Sequence, residues 1–387
     1  MIRRKAMLLA GCTLVMLALI FCFALGGTSL AAEPAKPKMM VWASMDVGTA
    51  VYAQYSAVGE GILSQFGIRL RVVPVGAALA RITLLRTGQA SGAVFSAPTL
   101  FAWKGTDEFA DRAWGPQKIR TMWMVGRQYP SSAITTTKSG IKTVKDIKGK
   151  RVARYVGSPG LNALMEAVLA YANLTWKDVK PVDVGSYSEA INQMIAGRLD
   201  MCQGDAVSGK VVELAASPDG LYWIPLPITD KEAWNRYQKV MPIYFPIQPK
   251  YGTNVPPDNK IWYATSAYPT LYTYNKTNEG LAYWITKAVA ESYPKYKDML
   301  KPSMQWWSID NFVKIPALVP YHQGTIKYLK EKGLWTKEMA SHHNALLAKE
   351  KKIHSAWDKA LEEAESKKLA DKAFPKFWLQ KLAEADK

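Results

Sequence analysis

Reactive side chains are scarce in this chain, and their scarcity argues against several classes of protein. The 387 residues include three cysteines and four histidines. Cys12 and Cys22 fall in an N-terminal apolar segment, so only Cys202 remains beyond it and no intramolecular disulfide is expected. All four histidines lie between His322 and His354, and none follows a predicted strand. The sequence therefore indicates neither a disulfide scaffold nor a histidine-based active site.

The motifs of common enzymes and cofactor sites are missing as well. The turn Gly157–Gly160 lacks the form of a nucleophile elbow, and no P-loop or dinucleotide-binding glycine motif is present. The adjacent His342 and His343 do not share a helix face, and no cysteine or acid stands at metal-ligand spacing from them. We predict no enzyme activity, no metal and no cofactor. A hydrolase or lyase on a related fold is the catalytic alternative.

The start of the chain has the three parts of an export signal. The basic residues Arg3–Lys5 precede an apolar run, Ala6–Leu25, and small residues that end at Ala31. This pattern predicts a signal peptide over residues 1–31 and a periplasmic mature protein. The apolar run is also long enough to span a bilayer, so an uncleaved membrane anchor is the alternative.

The charge is strongly positive but is not arranged for nucleic acid. Lysine and arginine number 50 against 32 acidic residues, which gives a formal net charge of +18. The basic residues are spread along the chain and concentrated in its C-terminal tail, with no stripe that alternates with aromatics. We predict no nucleic-acid partner. The charge permits an anionic ligand without indicating one.

Three short apolar runs organise the segment 149–206, and each ends in a turn of small residues. The runs are Val152–Val156, Val179–Val184 and Leu199–Cys202. Segments of helical period separate them, which is the pattern of βαβ units in a parallel sheet. Ligands of such sheets bind outside the carboxyl ends of the strands. The turns at 157–160, 185–187 and 204–206 are therefore predicted to hold functional residues.

Residues 39–98 repeat this order of strand, turn and helix, so the fold class is α/β with two domains. We expect domain I over residues 39–133 and 257–335, and domain II over 134–256, with a ligand cleft between them. Residues 336–387 have helical periodicity and alternating charges, with Pro375 as a break. They predict a helical extension that packs on the body or serves as an arm for a partner or a dimer.

The turn before the helix at Pro159 favours an anion. The first turn of a helix offers unpaired backbone N–H groups and the positive end of its dipole. Ser158 is placed to cap this helix, and Gly157 and Gly160 allow a ligand close to the backbone. Arg154 lies near the end of the preceding strand, where it could pair with a carboxylate. For Ser158 and Arg154, a purely structural role is the alternative.

Taken together, three segments then resemble the TAXI family, the extracytoplasmic receptors of TRAP transporters. The first, Ser139–Val152, resembles the second-domain start of periplasmic solute-binding proteins in general. The other two, Ala196–Asp200 with Val212–Ser217 and Pro320–Gly333, resemble this family in particular, and the resemblance spans roughly residues 39–335. It implies a type II periplasmic-binding-protein fold, no catalysis, and delivery of a small organic acid or amino acid to TRAP-type membrane permease subunits.

The family pattern and the residue arguments together give a set of candidate ligand-binding residues. They are Ser44, Asp46, Gly48, Thr49, Tyr52, Gly76, Ser96, Arg154, Gly157, Ser158, Pro159, Gly160, Asn162, Ser186, Tyr187, Asp205 and Tyr244. Aromatic residues such as Tyr187 and Tyr244 are expected to wall the pocket.

Two loops of domain I depart from the family pattern. Asp46–Thr49 stands where the family usually has a glycine pair, and Pro74–Ala77 replaces a Thr-Gly-Gly turn. Asp46 is expected to disfavour an anion in contact with it. These changes leave a second alternative open, an exported surface interaction protein or antigen that has lost solute transport.

Overall fold

The computed structural model describes residues 33–95 and 98–385 of the chain. The predicted signal segment 1–31 and the candidate residue Ser96 lie outside these described residues. Within them, no helix combines the length and apolar character needed to cross a membrane. The strands and helices of the described residues belong to one compact unit that begins at Lys36.

The unit has two lobes, one built on a five-stranded sheet and the other on three smaller sheets, so the predicted two-domain α/β fold is confirmed. The strands are β1 Met39–Ser44, β2 Arg69–Pro74, β3 Gly92–Val94, β4 Ile119–Met124, β5 Ser131–Thr135, β6 Arg151–Tyr155, β7 Lys180–Val184, β8 Cys202–Asp205, β9 Tyr222–Trp223, β10 Phe245–Ile247, β11 Tyr263–Thr265 and β12 Thr270–Tyr274. The helices are α1 Ala50–Phe66, α2 Ala78–Arg86, α3 Pro98–Lys104, α4 Pro159–Tyr171, α5 Tyr187–Ile195, α6 Gly209–Ala216, α7 Lys231–Val240, α8 Glu279–Glu291, α9 Tyr293–Tyr296, α10 Ile309–Phe312, α11 Gln323–Glu331, α12 Lys337–Ser366 and α13 Phe374–Ala385.

The first lobe is built on a five-stranded sheet in the order β2-β1-β3-β12-β4. Strand β1 pairs in parallel with β2 and β3, whereas β12 pairs antiparallel with β3 and β4. Arg69 and Arg71 are exposed on β2, which lies at the sheet edge as their alternation with apolar residues predicts. Helices α1 and α2 begin just beyond the carboxyl ends of β1 and β2.

The second lobe contains β5 to β11 in three sheets, β8-β5-β9, β6-β7 and β10-β11, and one strand differs from the prediction. Strands β6 and β7 are parallel, but β8 pairs antiparallel with β5, and its bounds are Cys202–Asp205 rather than Leu199–Cys202. The apolar run Leu199–Cys202 contains buried positions, but the strand pairing with β5 extends further, through Gln203 to Asp205. These polar side chains are buried and bonded inside the protein, so hydrophobicity alone does not reveal the strand.

The chain changes lobes twice, and the strands locate both crossings. It leaves the first sheet after β4 and enters the second at β5, so this crossing lies at residues 125–130. It returns between β11, which pairs with β10, and β12, at residues 266–269. The predicted limit at 133/134 falls inside β5, and the one at 256/257 precedes β11, although both strands lie in the second lobe. As limits of folding domains, they stay a prediction.

The C-terminal extension consists of α12 and α13 packed on the first lobe. Trp357, Phe374 and Trp378 are buried in one apolar cluster with residues of the first sheet. Pro375 does not break a helix: it lies in the first turn of α13, where a proline costs no hydrogen bond. The helices are instead separated at residues 367–373.

Three histidines near this extension predict a loss of stability in mild acid. Burial lowers the pKa of His322, His343 and His354, and Arg120 lowers that of His343 further. His343 Nδ1 also accepts a hydrogen bond from the backbone N–H of Tyr321 at 3.1 Å, which requires an unprotonated nitrogen. Neutral rings stabilise the fold above the ordinary histidine pKa, and this contribution is lost as pH falls below it.

We therefore expect the melting temperature to fall between pH 7.5 and pH 5.5, an interval in which few carboxylates titrate. The free energy of unfolding should drop by up to about 1.4 kcal/mol per pH unit for each proton taken up on unfolding. His343→Asn, which keeps an acceptor but does not titrate, should flatten the profile. A constant melting temperature across this interval would contradict the expectation.

Candidate functional site

The cleft between the lobes is closed over a small cavity. Its walls come from both lobes and from the two crossings. They comprise Met45, Thr49, Ala50, Val51, Ala78, Arg81, Phe95, Pro98, Arg127, Ser131, Ser158, Gly160, Leu161, Tyr187, Gln203, Asp205, Tyr244 and Tyr268. About 50 Å³ is open to the centre of a water molecule. This is room for roughly three to five waters, or for a small solute.

Backbone hydrogen bonds join the two lobes around this cavity. Leu79 N–H donates to the carbonyl of Gly157 at 3.3 Å. On the other side, the carbonyl of Gly48 accepts from Lys210 N–H and from Ser208 Oγ, both at 3.1 Å. Direct bonds of this kind need the lobes to be in contact, so the structure represents the closed state of the cleft.

Asp46 is one of these closing residues rather than part of the cavity wall. Its Oδ2 accepts from Ser186 Oγ at 3.0 Å and from the backbone N–H of Ser188 at 3.1 Å. Ser188 Oγ in turn donates to the carbonyl of Val47 at 3.1 Å. A carboxylate at the start of α5 is favoured by the helix dipole. The charge that was expected to repel an anionic ligand therefore binds the second lobe instead.

Two candidate glycines are required by close approach of the lobes. A Cβ on Gly76 would lie 2.8 Å from Cβ of Ser186, and a Cβ on Gly160 would overlap Cδ of Pro98. Any side chain at either position would hold the cleft open. Pro98 and Gly160 also line the cavity, so this contact forms part of its wall.

Arg127 and Asp205 form a buried ion pair in the cavity wall. Arg127 Nη1 lies 2.6 Å from Asp205 Oδ2, and Arg127 Nε donates to the carbonyl of Ser266 at 2.9 Å. Burial raises the pKa of Asp205, and the guanidinium of Arg127 opposes that rise. The hydroxyl of Tyr187 accepts from the backbone N–H of Asp205 at 3.0 Å. The pair compensates its own charge and leaves none over for a ligand.

Arg81 is a second buried guanidinium, and it has no counter-ion. It is 5% exposed and donates to three backbone carbonyls, those of Val94 at 3.1 Å, Val75 at 2.6 Å and Gly76 at 2.9 Å. Among residues 33–95 and 98–385, no carboxylate lies within 4.0 Å of it, and Asp46 acts on it only at longer range. Burial lowers the pKa of Arg81. An unpaired buried cation is costly, so an anion in the cavity would relieve this cost.

Helix starts add to the positive potential of the cavity. Residues from three helix starts line it: Thr49, Ala50 and Val51 of α1, Ala78 of α2, and Ser158, Gly160 and Leu161 of α4. The aligned N–H groups of these first turns favour negative charge. Ser158 makes no side-chain cap for its own helix; its Oγ accepts from Ala78 N–H across the cleft at 3.4 Å.

The candidate residues from the sequence thus fall into four groups. Thr49, Ser158, Gly160, Tyr187, Asp205 and Tyr244 line the cavity. Asp46, Gly48, Gly76, Gly157 and Ser186 make the contacts that close the lobes. Ser44, Tyr52, Arg154, Pro159 and Asn162 are not in the cavity wall. Ser96 is outside the described residues.

Asn162 and Arg154 have structural roles instead of facing the cavity. Asn162 exchanges two hydrogen bonds with the backbone of Tyr155 and so ties α4 to β6. Arg154 Nε bonds Asp183 Oδ1 at 2.5 Å across the β6–β7 pair, and both side chains are more than half exposed.

We expect Arg154→Ala to leave solute binding unchanged, because its side chain points away from the cavity. An exposed ion pair of this kind contributes little to stability, because water and salt screen it. Calorimetric titration and a thermal melt of this variant would measure both quantities. A clear loss of affinity would place Arg154 in the site after all.

Sequence reasoning missed the two charged arginines of the cavity. Arg81 lies inside α2, between the buried positions Ala78, Ile82 and Leu85. A basic residue on the apolar face of a short helix was the available signal. Arg127 lies in the crossing segment, where the turn residues gave no indication of a site.

Comparison with known proteins gives one family and several distant structures. No curated protein matches the sequence. The periplasmic aliphatic sulphonate binding protein SsuA of Escherichia coli is 14% identical over 80% of this chain and 84% of its own, with a TM-score of 0.41. A Bordetella bronchiseptica protein is 17% identical over 78% of this chain and 90% of its own, with a TM-score of 0.45. A putative L-cystine ABC transporter of Listeria monocytogenes is 12% identical over 71% of this chain and 98% of its own, with a TM-score of 0.43.

A family model matches residues 46–333, a range that starts at the Asp46 loop and ends before the C-terminal extension. It therefore includes both crossings and nearly the whole cavity wall. The chain belongs to the NMT1-like family.

Proposed function

We propose that the protein is a periplasmic solute receptor that encloses a small monoanion between its lobes. The observation that carries the proposal is Arg81, a buried guanidinium in the cavity wall without a carboxylate partner. A closed receptor with such a group gains most from a ligand that supplies the missing negative charge.

The charges of the cavity favour one negative charge on the solute. Arg127 is compensated by Asp205, so Arg81 alone remains to be balanced. A dianion would bring one charge in excess into a buried site, and a cation would repel Arg81. At the start of α4, Pro159 has no N–H, and the N–H groups of Ser158 and Leu161 bond backbone carbonyls. The N–H of Gly160 would therefore be the one to donate to the same anion.

The walls also limit the size and polarity of the solute. Phe95, Tyr187, Tyr244 and Tyr268 provide aromatic surface around the small cavity. This surface suits a short apolar portion attached to the anionic group. We therefore favour a short-chain carboxylate or a similar organic anion, and an amino acid less, because its ammonium group would meet Arg81 or Arg127.

A receptor role is better supported than catalysis. Asp205, the one acid in the wall, is held by Arg127, and the wall includes no histidine or cysteine. The described wall therefore offers no unpaired carboxylate, imidazole or thiol for proton transfer. The altered Asp46 loop closes the lobes, which supports solute binding over a role as an interaction protein that has lost it.

The membrane partner is proposed from the sequence resemblance alone. The motifs Ala196–Asp200 and Pro320–Gly333 resemble TAXI receptors, which implies delivery of the solute to a TRAP-type permease. The export signal predicted over residues 1–31 supports a periplasmic location for that delivery.

Thermal melts in the presence of small solutes test the proposal. Acetate, pyruvate, nitrate and methanesulfonate supply monoanions, and acetamide is a neutral control of the same size as acetate. A bound solute at 100 times its Kd should add about 2.7 kcal/mol to the free energy of unfolding. No shift with any monoanion, or an equal shift with acetamide, would overturn the proposal.

Closure of the cleft is expected to depend on Asp46. Asp46→Asn removes the charge at the start of α5 and weakens two hydrogen bonds between the lobes. A lost helix cap costs about 0.5–2 kcal/mol, so the affinity for a monoanion should fall roughly twofold to thirtyfold.

Small-angle scattering of the solute-free variant should show a larger radius of gyration than wild type. Asp183→Asn, which removes an exposed carboxylate that pairs with Arg154 and makes no contact between the lobes, is the matched control. Equal affinities and equal radii for Asp46→Asn and wild type would contradict the closing role of Asp46.

A further inference from the structure

The C-terminal extension is bonded to a helix that reaches the cavity. Helix α3 is seven residues long, and both extension helices bond its C-terminal end. Trp103 Nε1, on α3, donates to Glu350 Oε2 of α12 at 2.9 Å. Trp378 Nε1, on α13, donates to the carbonyl of Gly105, just after α3, at 2.6 Å. Two indole N–H groups thus join this end of α3 to the extension.

The attachment point on α12 is itself held firmly. Glu350 forms a bidentate pair with Arg120 of β4, with Nη1–Oε2 at 2.7 Å and Nη2–Oε1 at 2.8 Å. Both side chains are about nine-tenths buried. A bidentate guanidinium–carboxylate pair restricts orientation as well as position. Glu350 therefore connects α12 to the first sheet and to α3 at the same time.

The other end of α3 is part of the binding site. Pro98, its first residue, lines the cavity and contacts Gly160 in the first turn of α4. A helix of seven residues is not stable by itself in water, so packing must determine where α3 lies. Trp103 of α3 lies in one buried apolar cluster with Trp357 and Trp378 of the extension.

We propose that the C-terminal extension, residues 336–385, holds α3 in place and thereby positions the Pro98 wall of the cavity. The extension is then part of the binding architecture rather than an arm for a partner. The consequence for solute affinity rests on the proposed receptor function. The consequence for α3 itself does not.

Hydrogen exchange of the full chain tests the proposal without a ligand. Trp378→Phe and Trp103→Phe each remove one indole N–H while keeping an aromatic ring in the core. Amides of residues 98–105 should exchange roughly threefold to tenfold faster in each variant, the effect of one lost hydrogen bond. Lys381→Gln, which breaks an ion pair with Glu363 inside the extension, is the matched control and should leave α3 unchanged.

Two exchange results would overturn the proposal. One is unchanged protection of residues 98–105 in both tryptophan variants. The other is a uniform rise across both lobes, which would indicate general destabilisation instead of a local attachment.

Titration with pyruvate and nitrate separates this inference from the proposed function. If wild type binds one of them, both tryptophan variants should bind it at least roughly threefold more weakly, since the wall is less well positioned. Equal binding by the variants despite faster exchange would overturn the link to the cavity. If wild type binds neither, the receptor proposal fails for these solutes. The hydrogen-exchange result still decides whether the extension holds α3 in place.

Discussion

Arg81→Gln is expected to bind small monoanions roughly tenfold to 150-fold more weakly than the wild-type protein. A hydrogen bond to a charged group contributes about 1.5–3 kcal/mol, and Arg81 supplies the one uncompensated charge of the cavity wall. Glutamine retains a donor and most of the length of the side chain. The loss of affinity therefore measures the removal of the positive charge more than the change in side-chain size.

Two further variants make this result specific. Arg81→Lys keeps the positive charge but cannot satisfy the carbonyls of Val75, Gly76 and Val94 together. Its affinity for the monoanion should therefore lie between those of wild type and Arg81→Gln. Arg154→Gln makes the same chemical change at an exposed arginine outside the cavity. Calorimetric titration of all three against the same monoanion measures the order. Equal losses for Arg81→Gln and Arg154→Gln would show that the effect is not local to the cavity.

Asp205→Asn is expected to give the largest loss of stability. It leaves Arg127 buried without its partner carboxylate, and breaking such a pair costs about 3–5 kcal/mol. The variant cavity then holds two uncompensated arginines. A monoanion in the cavity should therefore stabilise the variant more than it stabilises wild type.

Thermal melts with and without acetate measure both effects. The melting temperature of Asp205→Asn should be well below that of wild type in buffer without small anions, and acetate should recover part of the difference. Asp183→Asn, at the exposed pair with Arg154, should leave the melting temperature close to that of wild type. An Asp205→Asn protein as stable as wild type would mean that Arg127 is not effectively buried in solution.

Local signals in the sequence account for most of the elements. Pro159 favours the first turn of a helix, and α4 begins there. Threonine is a preferred residue just before a helix, and the Thr49 side chain caps α1 by accepting from the backbone N–H of Tyr52 at 3.3 Å. The alternation of Arg69 and Arg71 placed β2 at the edge of a sheet. In each case the cause lies within a few residues of the effect.

The site depends on contacts that local signals do not contain. Asp46 was expected beside the ligand, but its partners lie about 140 positions along the chain, on α5. Arg81 is recognisable as a site residue only because no carboxylate from any other described segment reaches it. The bounds of β8 were misplaced because Asp205 is polar, and its burial follows from Arg127. These are tertiary pairings, so the strand ends were predictable while the groups that meet across the cleft were not.

The most direct test is the position of a monoanion in crystals of the wild-type protein. Bromide is small enough for the cavity and is located by its anomalous scattering. We expect a peak in hydrogen-bond contact with the Arg81 guanidinium and the first turn of α4, and we expect pyruvate to displace it. Bromide bound at surface lysines alone, with no peak beside Arg81, would contradict the assignment of the cavity as an anion site.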